Sequence, residues 1–397
     1  MSGDPMVSFI ETDPSGKFYR LIEVGMALTS ERDISTLLGR ILIEARRFTC
    51  ADAGTIYLVT KEGKLQFSVV QNDTLGRSEV LVGNTDSPPV TMEISPTSIA
   101  GWVTGTGSTL NIPDVYMISG ECPFQFDRSF DQKSGYRSRS MLVVPMKNPQ
   151  GKIVGVIQLI NARCPGDGEE GPFSSEHEVL VLCLASQAAV ALDNAQLTDE
   201  LRRSYAEAIH HLAKAAEFRD KETGRHVERV GRYAAAIAEA MELPAAYISD
   251  LLLASTLHDI GKLAIPDCIL HKPGKLTTGE FTEMKCHARL GADILAESEN
   301  PVLQLAAEIA HTHHEHWDGS GYPRGLKGDE IPLSGQICAV ADVFDALCSA
   351  RCYKSGFGIQ EACDIMRRES GRHFSPAVME VFLGIPDRIA EIQDEFS

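Results

Sequence analysis

Histidines and acidic residues gather in the C-terminal half of this 397-residue chain at spacings that suit a metal centre. Eleven of the twelve histidines follow residue 209, and several stand beside an acid or one helical turn from one. The candidate ligands are Glu222, His226, His258, Asp259, His287, His313, His314 and Asp342. Imidazoles suit transition metals and carboxylates can bridge two ions, so this mixed set indicates a multinuclear hydrolytic site.

Helical patterns are predicted to position these side chains. Glu222 and His226 are four residues apart at the start of a helix and would share one face. His258 and Asp259 are predicted to end an apolar helix, and His287 to open another. A lone histidine in such a place is more often a hydrogen-bonded core residue than a ligand, but the convergence of five helical segments favours the metal interpretation.

The segment after residue 220 is predicted to be all-helical. Asp342 lies inside its apolar run Ile337–Leu347, where an unpaired carboxylate would be costly to bury. The helical patterns cover Val227–Met241, Ala245–Leu257, Ala288–Ala296, Val302–His311 and Ile337–Ser349.

The runs HDIGK (258–262) and HHEHWDGSGYP (313–323) resemble the HD-GYP phosphodiesterases, a branch of the HD metal-dependent hydrolases. The resemblance covers about residues 205–385 and also includes VADVFDAL, which ends at Leu347. It implies a helical bundle that binds two or three divalent transition metals, usually iron or manganese. It also implies hydrolysis of a cyclic dinucleotide, cyclic di-GMP above all, to a linear dinucleotide and possibly on to GMP.

Roles for individual residues follow from this resemblance. All eight candidates would be metal ligands, with Asp259 as the bridging carboxylate and Glu222 as the ligand that goes with a third metal. Lys262 would stabilise charge on the phosphate or on the leaving oxygen. The implied substrate contacts are Gly321, Tyr322, Asp345, Arg351 and Lys354.

Two other functions remain open from the residues. The helical domain could be a non-catalytic protein that binds a cyclic dinucleotide or a partner, although the retained ligands and Lys262 favour an enzyme. It could also be a different HD-type nucleotide phosphohydrolase, against which the Gly321–Pro323 motif argues.

The N-terminal half alternates helical and strand-like segments. Its strand-like runs are Gly54–Val59, Leu65–Val70, Ser140–Met146 and Ile153–Ile160, which predict an α/β domain with a largely antiparallel sheet. The segments 99–115, 130–146 and 155–163 resemble a GAF domain over about residues 18–195. This resemblance implies a sheet with flanking helices and a pocket that could hold a small ligand.

The GAF resemblance is closest to cyclic-nucleotide phosphodiesterases, but the binding signature is incomplete. Asn161, Phe173 and Glu178 fit that signature, whereas Ala162 and His177 replace its lysine and aspartate. The salt bridge that would close the pocket is therefore broken, and a domain that only dimerises is the alternative.

The predicted organisation is a GAF regulatory or dimerisation domain (18–195), a connecting helix (196–210) and an HD-GYP catalytic domain (211–385). A long helix is predicted from about Ser174 toward Phe218. Its later part repeats apolar residues at steps of four and three, which suits a parallel homodimer or packing on its own domain. The residues of this repeat are Leu201, Tyr205, Ala208, Leu212 and Ala215. The fold class is thus multidomain, α/β followed by all-α.

Composition excludes several classes of partner. The formal net charge of −18 disfavours nucleic acid polymers and anionic membranes, so positive charge for a phosphate ligand must be supplied locally. The apolar run 180–192 is interrupted by Ser186 and Gln187, and a membrane span is not expected. Ten cysteines without any C-x-x-C pair indicate reduced thiols in a cytoplasmic protein.

Overall fold

The computed structural model describes residues 16–31, 33–81, 89–163, 170–219, 225–349 and 356–396. The chain divides into two compact units, Met1–Leu201 and Arg202–Ser397.

An eight-stranded antiparallel sheet forms the centre of the N-terminal unit. The strands are β1 (Ala51–Val59), β2 (Lys64–Asn72), β3 (Arg77–Val80), β4 (Thr91–Glu93), β5 (Leu110–Ile112), β6 (Met141–Lys147), β7 (Ile153–Arg163) and β8 (Glu170–Gly171). Their order is β3-β2-β1-β7-β6-β5, with β4 beside β2 and β8 beside β7. Each of the four strand-like runs overlaps a strand, and the predicted antiparallel sheet is confirmed.

Helices cover both faces of this sheet. They are α1 (Lys17–Ser30), α2 (Ile34–Thr49), α3 (Ile99–Thr106) and α4 (Ser129–Ser134). The Asp33 carboxylate begins α2 by accepting from the Thr36 amide at 2.6 Å. Leu38 of α2 packs with Ile157 on one face of the sheet, whereas Val103 of α3 packs with Val143 on the other.

A single helix, α5 (Ser175–Arg219), runs for 45 residues, as the sequence predicts. One stretch of it has a mean hydropathy of 1.4, so by length and composition it could cross a membrane, but 44% of that stretch is buried inside the protein. Leu184 and Leu192 account for part of this apolar character, because they lie in the core of the N-terminal unit. Leu201 and Leu212 of the predicted dimer repeat are exposed, at 71% and 56%.

Helices make up the regular structure of the C-terminal unit over its described residues, which confirms the all-α prediction. They are α6 (His226–Ala240), α7 (Ala245–Ser255), α8 (Asp267–Leu270), α9 (Thr278–Leu295), α10 (Pro301–Thr312), α11 (Leu333–Cys348), α12 (Ile359–Arg368), α13 (Pro376–Leu383) and α14 (Pro386–Glu395). Two short 3₁₀ helices cover Ile260–Ala264 and Gly328–Glu330.

Two predicted helix boundaries are wrong. Helix α7 ends at Ser255, so His258 and Asp259 lie in the turn that follows it. Helix α9 begins at Thr278, so His287 lies in its middle and does not open it. Apolar periodicity is weak in its first turns, where a capping box between Thr277 and Glu280 begins the helix instead.

Three aromatic rings pack α6 and α11, which carry His226 and Asp342, together with α13. The Phe344 ring of α11 packs edge-on against Tyr233 of α6 at 5.2 Å and against Phe382 of α13 at 5.1 Å, centroid to centroid. All three side chains are buried. Since Phe344 lies between Asp342 and Asp345 in sequence, this packing sets the position of both carboxylates.

Candidate metal centre

Seven of the eight candidate ligands lie in two groups in the C-terminal unit. One group is Asp259, His287, His313 and His314, and the other is His226, His258 and Asp342. Within each group the ligand atoms all lie within 4.8 Å of one another. The groups draw on α6, α9, α11 and the turns that follow α7 and α10, so residues distant in sequence meet at one place.

A close contact between two glycines brings the turn after α7 against α9. A Cβ atom on Gly261 would lie 1.9 Å from the backbone oxygen of His287 and 2.4 Å from the amide nitrogen of Gly291. Only glycine therefore fits the third residue after His258. This approach places Asp259 next to His287, with 3.3 Å between Oδ1 and Nε2.

Backbone carbonyls orient three of the histidines. The Nδ1 atom of His258 lies 2.9 Å from the Ser255 oxygen, that of His287 lies 2.8 Å from the Met284 oxygen, and that of His313 lies 3.1 Å from the Ile309 oxygen. Because a carbonyl can only accept, each Nδ1 carries a proton, which leaves each Nε2 as the position at which the ring could bind a metal.

The Nε2 atoms of His258, His287 and His313 are buried and have no hydrogen-bond partner among the described residues. The Oδ1 atom of Asp259 is likewise buried and has no hydrogen-bond partner among these residues. Leaving buried polar atoms unpaired is costly, and a metal ion bound by them would remove that cost. The donor set therefore fits transition metals, which imidazole nitrogen and carboxylate oxygen bind together.

Asp259 presents one oxygen to each group. Its Oδ1 lies 3.3 Å from His287 Nε2 and 3.7 Å from His313 Nε2. Its Oδ2 lies 3.3 Å from His258 Nε2 and 2.8 Å from the Lys262 ammonium. Burial acts to raise the pKa of Asp259, but Lys262 and His258 outweigh it and hold that pKa well below its usual range. This is the geometry that a bridging carboxylate requires.

The two groups differ in their affinity for protons. Burial lowers the pKa of His287 and lowers that of His314 further, so both are neutral imidazoles near pH 7. Burial acts in the same direction on His258, but Asp259 and Asp342 outweigh it and raise its pKa to about 9. A metal that binds His258 must therefore displace a proton.

Asp345 holds His226 instead of facing an open site. Its Oδ2 accepts from His226 Nδ1 at 2.7 Å, and Arg229 donates to both of its oxygens at 2.6 and 2.8 Å. The residue is only 1% exposed. This geometry does not support the direct substrate contact predicted for Asp345. It favours an orienting role, because the bond turns His226 Nε2 toward Asp342, 3.5 Å away.

The turn formed by Gly321, Tyr322 and Pro323 (the GYP turn) covers one side of the group that contains His314. The Tyr322 ring packs on the His314 ring with 4.7 Å between centroids, and its amide donates to the His314 oxygen at 3.1 Å. A Cβ on Gly321 would lie 2.2 Å from the His316 amide nitrogen, so the chain can turn this tightly only with glycine there. Buried Glu315 secures the loop by accepting from two backbone amides, those of Arg324 and Leu326.

The remaining predicted residues divide into two kinds. Lys262 lies at the centre, paired with Asp259 as described above. Glu222, Arg351 and Lys354 lie outside the described residues, so their roles remain sequence predictions.

Sequence reasoning missed two residues beside the centre. Arg229 could have been found from its position three residues after His226, which places both on one helix face. Lys285 lies two residues before His287, and its ammonium lies over the Tyr322 ring, 5.0 Å from the centroid. Its spacing to His287 carried no signal, because the contact depends on where the GYP turn packs.

The N-terminal unit has a cavity of about 460 Å³ beside its sheet. Asn161, part of the incomplete cyclic-nucleotide signature, is buried and bonded to backbone. Its amide donates to the Arg137 oxygen at 2.8 Å, and its oxygen accepts from the Arg139 amide at 2.7 Å. Ala162 is buried in the core, and His177 pairs with Ser174 at the start of α5. These contacts give the signature residues structural roles.

Two family profiles match this chain. Residues 33–192 match the GAF domain, and residues 193–378 match the HD domain.

Curated relatives match mainly the C-terminal half. Over 186 residues the chain is 50% identical to a protein of Thermotoga maritima named cyclic di-GMP phosphodiesterase, which covers 47% of this chain and 50% of the relative. A Vibrio cholerae protein of the same name is 44% identical over 237 residues, or 56% of this chain and 48% of the relative. The 3'3'-cGAMP-specific phosphodiesterase 2 of Vibrio cholerae is 45% identical over 194 residues, or 49% and 37%. The chain thus spans about half the length of these relatives, or less.

Proposed function

We propose that this chain is a metal-dependent phosphodiesterase for a cyclic dinucleotide, because it joins a match to the GAF domain to a match to the HD domain and is similar to a relative named cyclic di-GMP phosphodiesterase. We infer cyclic di-GMP as the preferred substrate, hydrolysed to the linear dinucleotide. The observation that carries the proposal is the position of Asp259, whose Oδ1 faces Nε2 of His287 and whose Oδ2 faces Nε2 of His258, so that one carboxylate lies between the two groups.

The proposed ligands are the seven residues of the two groups, with Glu222 as an eighth. Iron or manganese is the proposed metal, because a mixed imidazole and carboxylate set suits both. Bound metals would supply the Lewis acidity that neutralises a phosphodiester and acidifies water. Asp259 keeps its negative charge between the groups, and Lys262 provides an ammonium beside it for the phosphate or the leaving oxygen.

Arg229 and Asp345 have a positioning role in this proposal. They hold the His226 ring with Nδ1 protonated, so that Nε2 stays available as a ligand. Tyr322 closes one side of the centre and restricts the direction from which a substrate can approach.

Turnover and metal content together test the proposal. Protein purified without oxygen should contain at least two transition metals per chain and should hydrolyse cyclic di-GMP faster than 3'3'-cGAMP. The double variant H258A/D259A should lose both metal and activity. His211→Ala is the matched control, since His211 is exposed on α5 and lies outside both groups. Full activity after stripping with a strong chelator would refute the proposal, and metal-dependent binding without hydrolysis would support the non-catalytic alternative.

We further propose that the GAF domain regulates a cytoplasmic homodimer through α5. This helix is continuous over 45 residues, and its exposed Leu201 and Leu212 suit a parallel partner helix. The cavity of about 460 Å³ would hold a small regulatory ligand. Two residues inserted after Leu201 rotate the following helix by about 200° and should change activity or its response to ligands. An unchanged response would make α5 a passive connection.

A further inference from the structure

A cyclic dinucleotide carries two phosphodiesters, and the metal centre can take only the one that is cleaved. The other phosphate needs a separate source of positive charge, because the chain as a whole carries a net charge of −18. Two cations beside the centre are paired with carboxylates, Lys262 with Asp259 and Arg229 with Asp345. Arg351 and Lys354 lie outside the described residues, so within the described part of the chain the candidate for the other phosphate is a further cation beside the centre.

Lys285 has the position and the charge for this role. Its ammonium lies 5.0 Å from the centroid of the Tyr322 ring and 4.9 Å from that of Phe281. Phe281 is one helical turn before Lys285 on α9, so the two share a face of that helix. Within the described part of the chain, no carboxylate lies within ion-pair distance of Lys285.

The two rings hold the lysine without neutralising it. An ammonium over aromatic faces keeps its full charge and its donors, whereas a carboxylate partner would occupy both. Tyr322 links this lysine to the metal centre, because its ring packs on the His314 ring. Phe281 is 48% exposed, which leaves the ammonium reachable from solvent on that side.

We propose that Lys285, held against Tyr322 and Phe281, binds the phosphate of the cyclic dinucleotide that is not cleaved. This inference rests on the proposed function and adds a residue that selects substrates with two phosphodiesters. Lys285 acts on binding, so its loss should raise KM and leave both kcat and the metals unchanged.

The test compares two substrates in the metal-loaded full chain. Lys285→Ala should raise KM for cyclic di-GMP by about tenfold, the amount expected for one charged hydrogen bond. The same variant should hydrolyse bis(p-nitrophenyl) phosphate, which has a single phosphodiester, at the wild-type rate. Lys285→Arg should keep most of the affinity. Arg289→Ala is the matched control, because it removes a positive charge from an exposed ion pair one turn further along α9.

The outcomes separate this inference from the proposed function. A wild-type KM for cyclic di-GMP in Lys285→Ala, or an equal loss with both substrates, would overturn the role of Lys285. Reduced metal content in that variant would also overturn it. If the wild-type protein hydrolysed no cyclic dinucleotide, the proposed function would fail, and calorimetric titration with cyclic di-GMP would still decide whether Lys285→Ala weakens binding.

Discussion

The substitution Asp345→Asn should remove one metal and spare the other. In the wild-type protein, His226 Nδ1 donates to Asp345 at 2.7 Å. In the variant, an asparagine whose oxygen still accepts from Arg229 turns its NH₂ group toward His226. To accept that NH₂, the His226 ring must move its proton to Nε2. A protonated Nε2 has no lone pair for a metal.

The expected loss is large enough to measure. Losing an outer carboxylate of this kind costs about 10–100-fold in metal affinity, equivalent to about 1.4–2.7 kcal/mol. The loss should fall on the group that contains His226, His258 and Asp342. Asp345 is not part of the other group, and two of that group's histidines, His287 and His313, are oriented by backbone carbonyls.

Metal content after dialysis against increasing chelator concentrations is the assay. Asp345→Asn should release its first metal at a chelator concentration about 10–100-fold lower than wild type, and the second at an unchanged concentration. Ser349→Ala is the control, because Ser349 donates to the same carboxylate at 3.2 Å without contacting His226. If Asp345→Asn retained both metals as tightly as wild type, the orienting role of Asp345 would be wrong.

Three further predictions concern other residues. Lys262→Ala should lower turnover by about 10²–10³-fold with little change in metal content, since its role is charge stabilisation; equal losses of both, measured by elemental analysis and kinetics, would make the lysine structural. Glu222→Ala should lose one metal and keep the rest, and an unchanged metal count would contradict that assignment. Burial lowers the pKa of His373 to about 4, so protonation favours the unfolded chain, and stability should fall as the pH drops below about 6.5. Relative to His373→Gln, wild type should lose on the order of 2 kcal/mol in urea unfolding between pH 7 and pH 5, and parallel pH profiles would exclude this effect.

Residue types and spacing indicate which side chains gather at the candidate metal centre, and seven of the eight predicted residues do lie together there. Two pairs of these residues are adjacent in sequence, His258 with Asp259 and His313 with His314. A single turn of the chain therefore brings both members of a pair to the centre. The antiparallel sheet was predictable for a similar reason, since runs such as Ile153–Ile160 carry a strong local strand signal.

Roles that depend on tertiary packing could not be predicted. The sequence predicts a substrate contact for Asp345, because it does not reveal that Arg229 donates to both of its oxygens. The middle position of His287 in α9 was missed because polar residues fill the first turns of that helix. Lys285 could be recognised only once Tyr322 was seen beside it.

The four oriented histidines differ in how well they should tolerate changes in neighbouring residues. Every amino acid has a backbone carbonyl, so Ser255, Met284 and Ile309 could be exchanged for other helix-compatible residues without altering the proton position on His258, His287 or His313. His226 depends instead on one particular side chain. Substitutions at neighbouring positions are therefore expected to leave the orientation of three imidazoles unchanged and to disturb that of His226. Of the four orienting residues, Asp345 should tolerate substitution least.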